Sequence, residues 1–82
     1  MSAWEYCVAS YVPSGPLMVN VVYYTPEGAR TESHRTKDYD EGMSKLWPSV
    51  IANLGRDGWE LVSIDNGALY FKRPLGDSFR SG

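Results

Sequence analysis

Residues 59–73 read Trp-Glu-Leu-Val-Ser-Ile-Asp-Asn-Gly-Ala-Leu-Tyr-Phe-Lys-Arg, and this stretch decides the fold. Two runs rich in β-branched and aromatic residues flank Asn66-Gly67. A type I′ turn needs positive φ at both central positions, and that pair tolerates it best. The turn predicts the register: Ile64 opposite Leu69, Val62 opposite Phe71, and Glu60 opposite Arg73 as a cross-strand ion pair. Val62, Ile64, Leu69 and Phe71 then share one face, the natural seat for a helix. Trp59, Leu61, Ser63, Tyr70 and Lys72 fall on the other face. Pro74 ends the strand.

Upstream lies the segment that could sit on this hairpin. Met43, Leu46, Trp47, Val50, Ile51 and Leu54 recur at helical spacing and form one apolar stripe. Asp38 or Asp40 is placed to cap the start, with further acidic groups near the positive end of the helix dipole. Pro48 either kinks this helix or begins it, because it lacks an N–H and crowds the preceding turn. Gly55 is expected to close it.

The N-terminal third reads as strands. Trp4–Val12 alternates, with Trp4, Tyr6 and Val8 on one face and Glu5, Cys7 and Ala9 on the other. Pro13-Ser14-Gly15-Pro16 breaks it, and Leu17–Thr25 is a second strand. Pro26-Glu27-Gly28 is a turn. Ala29–Arg35 is polar throughout and fits an exposed edge strand slightly better than a loop. The expected fold is α+β: a small antiparallel sheet of four or five strands with one amphipathic helix on one face, in the order β-β-(β)-α-β-β. One domain over residues 1–75 and a loose tail over 76–82 follow.

Length and composition agree with this. Eighty-two residues bury one core, and 43% hydrophobic with 22% charged residues is ordinary for a folded domain. The net charge is −2 and the eight Lys and Arg are scattered, so nucleic-acid binding is not expected. Cys7 is the single cysteine, which excludes an internal disulfide. No leader-like or bilayer-length apolar run is present, so a cytoplasmic protein with no membrane insertion is expected.

Three blocks carry a resemblance. Trp4-Glu5-Tyr6, then Leu54-Gly55-Arg56-Asp57-Gly58-Trp59-Glu60-Leu61-Val62-Ser63, then Tyr70-Phe71-Lys72-Arg73-Pro74 together resemble a family of short bacterial and phage proteins catalogued as a domain of unknown function, number 4177. The blocks come in the family's order and span most of residues 3–75. The resemblance implies a compact sheet-plus-helix domain and no particular activity. The chain departs from the pattern in three ways. Its strand-two region and the stretch to Asp40 are longer, Cys7 replaces a more usual basic or polar residue, and Pro48 interrupts the helix.

No catalytic constellation stands out. His34 and Cys7 are isolated in sequence and read as a solvated loop histidine and an ordinary strand cysteine, not a nucleophile pair. Asp38, Asp40 and Glu41 are explained by a helix start, not a cation site. Neither metal nor cofactor is expected, and the chain reads as a non-enzyme. The informative feature is apolar surface on the face away from the helix. Cys7, Ala9, Tyr11, Trp59, Leu61 and Tyr70 are expected there, as an interface for self-association or for docking on a larger complex. The competing arrangement has Trp59 folding over the helix end and the 26–40 segment covering the rest. The alternative function is a small-molecule sensor or sequestering protein with an aromatic pocket, a class that includes phage inhibitors.

Overall fold

The computed structural model describes residues 3–13 and 17–75; residues 14–16 of the expected Pro13–Pro16 break and the expected 76–82 tail lie outside the described residues, and Pro13 itself ends the first strand. Five strands form one antiparallel sheet: β1 (Trp4–Pro13), β2 (Leu17–Thr25), β3 (Gly28–Arg35), β4 (Glu60–Asp65) and β5 (Ala68–Pro74). Their spatial order is β3-β2-β1-β5-β4. Among the described residues a single helix, α1, covers residues 39–56 between β3 and β4. This is the expected α+β architecture. The polar Gly28–Arg35 segment is a true strand, paired with β2 and exposed along its whole length.

Pro48 does not begin α1, which is already helical nine residues earlier. The helix starts at Tyr39–Glu41, widens to a π-type turn over Gly42–Leu46, and continues as Trp47–Arg56. Within the wide turn the Trp47 N–H donates to the Gly42 carbonyl, one residue further back than an α-helix would require. Looser winding just before a proline accommodates the ring that would otherwise crowd the carbonyl four residues earlier. Asp38 is the cap: its carboxylate accepts from the Glu41 N–H at 2.8 Å.

The glycine that closes α1 is Gly58, three residues later than the expected Gly55. Gly58 takes φ 92°, its N–H donates to the Gly55 carbonyl at 3.0 Å, and the Trp59 N–H donates to the Leu54 carbonyl at 3.0 Å. These two bonds form a Schellman cap. They bring Trp59 onto Leu54, and both are buried.

The core lies between α1 and one sheet face. Cys7 and Ala9 of β1, Leu17, Val19 and Val21 of β2, Phe71 of β5, Val50 and Leu54 of α1, and Trp59 are its buried members. The small Cys7 and Ala9 on the central strand leave room for the helix. Gly42 does the same at the other contact: a methyl there would meet Leu17 Cβ at 2.5 Å and Thr36 Oγ1 at 2.7 Å. The helix is therefore drawn toward β2. A five-strand sheet is roughly 20 Å wide and a helix about 10 Å across, so α1 covers only about half of it.

Candidate functional site

The hairpin register starts as expected and then slips. Asn66 and Gly67 have φ 51° and 80°, and Ile64 faces Leu69. A bulge then falls between Leu61 and Ser63, so Leu61 faces Phe71 and Glu60 faces Lys72. The expected Val62–Phe71 and Glu60–Arg73 pairs do not form. Directly opposed residues share a face, so Leu61 and Ile64 stand on the helix side with Phe71 and Leu69.

Arg73 instead meets Glu5 of β1, with Nε donating to Oε2 at 2.6 Å, and donates through Nη1 to the Asp57 carbonyl at 2.8 Å. Its guanidinium lies 4.4 Å from the Trp59 ring centroid, and the Trp59 and Tyr23 rings are 5.8 Å apart. This clamp fixes the α1–β4 connection against the sheet.

The interface residues expected on the face away from the helix are mostly elsewhere. Cys7, Ala9 and Trp59 are buried in the core, and Tyr11 packs edge-to-face on Trp47 of α1 at 5.1 Å. Leu61 is exposed but on the helix side, and Tyr70 alone of the six lies exposed on the open face. Alternation states which residues share a face, but not which face receives the helix. On β1 that choice falls to the smaller set, Cys7 and Ala9, because a helix must approach there. Trp59 folding over the helix end was the competing arrangement, and it holds; the 26–40 segment, however, extends the sheet through β3 and does not cover the open face.

The open face is built from the other set. Trp4, Tyr6, Val8 and Val12 of β1 lie beside Met18, Val22 and Tyr24 of β2 and Tyr70 of β5. Tyr6 and Tyr24 are directly opposed and are 51% and 50% exposed. Trp4, Val12 and Tyr70 are also exposed. The charges on this face balance: Lys72 Nζ sits 4.2 Å from the Trp4 ring centroid, Arg35 donates to Met18 Sδ at 3.6 Å, and Glu60 and Asp65 of β4 stand at its outer margin.

On the helix side, a groove of about 440 Å³ runs between α1 and β2–β3. Its floor is Val21, Val50 and Leu54, and its walls carry Glu32, His34, Ser49, Asn53 and Arg56. Tyr23 donates to Glu32 Oε1 at 3.2 Å, and burial followed by the Glu32 charge pushes its phenol up to about 12. Arg56 is bound to Asn53. The groove holds one tyrosine and no tryptophan, so it is more polar than an aromatic pocket.

Cys7 is unsuited to nucleophilic work. Its thiol is buried at the centre of the sheet and burial pushes it up to about 12, against a smaller lowering by Arg73. The reactive form of cysteine is the thiolate, which such a site withholds. Asp38 is occupied in capping, and no group of three or more His, Cys, Asp or Glu among the described residues is arranged to hold a metal. No helix among the described residues is long and apolar enough to cross a membrane. Compared with protein-family models, curated proteins and solved structures, the chain matches none.

Proposed function

We propose that this chain is a non-enzymatic interaction module that self-associates through its open sheet face, two copies packing sheet on sheet. The carrying observation is the opposed Tyr6–Tyr24 pair, each residue half exposed, flanked by Trp4 and Tyr70 on a face that no element among the described residues covers. An antiparallel sheet that meets water on one side reads polar there, and this one does not. Half-exposed aromatic side chains of this number present on the order of 400 Å² of surface. Two such faces with their polar rims approach the roughly 1,000 Å² that a specific interface needs. The near-neutral face also sets no strong charge against its own copy. Membership of the 4177 family and a cytoplasmic setting belong to the same reading.

Native mass spectrometry tests it directly. Wild-type protein should appear at twice 9.2 kDa, and Tyr6→Glu with Tyr24→Glu at the single-chain mass with the fold retained. A wild-type monomer at tens of micromolar would sink the proposal.

A second reading, binding of a small molecule, draws on the groove between α1 and β3. A metabolite at 100 times its dissociation constant would stabilise the fold by about 2.7 kcal/mol, visible in a melting panel. A flat panel removes this reading.

A further inference from the structure

β4 is the last strand of the sheet, and its outward backbone groups have no strand partner among the described residues. Leu61 and Ile64 project on the helix side, 48% and 64% exposed, beyond the reach of α1. Glu60 and Asp65 lie on the opposite side, at the two ends of the strand. An exposed apolar edge of this kind is a template for another strand unless something blunts it.

A second copy fits this edge poorly. Symmetric antiparallel pairing of two β4 strands would set Leu61 against Ile64, but it would also set Glu60 against Asp65 at both ends and the Val62 bulge against Ser63. Pairing with the other edge, β3, would place Leu61 and Ile64 beside Arg30, Glu32 and His34, which occupy the helix side of that strand. The first match opposes like charges, and the second leaves the apolar side chains without apolar cover.

We propose that β4 is a docking edge for an extended segment of another protein in which apolar side chains alternate with Lys or Arg. Strand addition satisfies the outward backbone groups, apolar side chains of the segment cover Leu61 and Ile64, and basic ones meet Glu60 and Asp65. Its apolar anchors, Leu61 and Ile64, lie on the helix side and are separate from the Tyr6–Tyr24 centre of the open-face interface.

The probe is a fluorescein-labelled nine-residue peptide alternating Val and Lys, read by anisotropy. Saturable binding is expected. It should weaken at least tenfold when Glu replaces Lys, when Ser replaces Val, or when the central backbone amides are N-methylated. Leu61→Ser with Ile64→Ser, checked by circular dichroism, should weaken it equally and leave the native mass unchanged. The peptide controls decide alone if that variant does not fold. Absence of saturable binding overturns the proposal, and so does equal binding of the Glu, Ser or N-methylated peptide. A Leu61→Ser/Ile64→Ser variant that loses a wild-type dimer also overturns it, because the occupant is then a second copy.

Discussion

β3 and β4 close the two ends of one sheet, and every residue of each is exposed, yet they expose opposite chemistry. β3 shows Arg30, Thr31, Glu32, Ser33, His34 and Arg35, with Arg30 and Glu32 4.0 Å apart and Ser33 hydrogen-bonded to Asn20 at 2.7 Å. β4 shows Leu61, Val62 and Ile64. An edge with no apolar side chain larger than that of Ala29 resists stray pairing without help, whereas an apolar one calls for a cover. The cause of the difference lies with the helix. Gly42 lets α1 approach Leu17, which seats it over β1 and β2, and the far strand is left bare.

The largest effect should come from testing where that cover stops. Phe71→Ala, beneath the helix, should cost about 3–5 kcal/mol in urea denaturation. Leu61→Ala, directly across from it, should cost less than about 1 kcal/mol because little of it is buried. Equal losses would mean that β4 is packed after all. Next comes the contact that sets the helix position. Gly42→Ala forces a methyl onto Leu17 and Thr36 and should cost roughly 1–3 kcal/mol through overpacking. An unchanged midpoint would remove Gly42 as the cause of the asymmetry.

A smaller change in stability, but a visible one in behaviour, is expected from making β3 resemble β4. Glu32→Leu with His34→Leu should leave stability within about 0.5 kcal/mol of wild type. Sedimentation should nevertheless show new self-association through the apolar edge so created. If the variant stays as wild type, exposed apolar residues on an edge strand are harmless here and the contrast loses its meaning.

The smallest effect is alkaline. Both Cys7 and Tyr23 have folded-state values raised to about 12, from ordinary values of 9.0 and 10.0. The folded protein therefore holds protons that the unfolded chain releases between about pH 9 and pH 12, and stability falls across that window. Below pH 9 both contributions are fully present. Urea midpoints that stay level from pH 8 to pH 12 would contradict this. A thiol reagent at pH 8 should modify Cys7 only after unfolding.

The hairpin shows how far local chemistry reaches. Asn66-Gly67 announced the turn and the first pairs, because a two-residue loop with positive φ leaves few registers open. Three pairs from the turn the bulge intervened, and no residue in Glu60–Asp65 signals it. A bulge is a compromise with the neighbouring strand, and here Arg73 is held by Glu5 and Asp57, which belong to other elements. The open face was legible as a pattern but assigned to the wrong residues. Cys7 and Ala9 alternate with Tyr6 and Val8, and nothing within β1 says which set will meet the helix.

The amino-acid sequence by itself determined the element order apart from β3, the stripe of α1, a cap at Asp38 or Asp40, and the hairpin turn. Each of these depends on residues within one helical turn or one loop of each other, where backbone sterics and local hydrogen bonds decide. Tertiary structure alone decided which face is buried, where the helix sits, and which edge remains apolar. Those outcomes depend on fitting a helix about 10 Å wide onto a wider sheet. The fit turns on close contacts between residues far apart in the chain, such as Gly42 with Leu17 and Arg73 with Glu5.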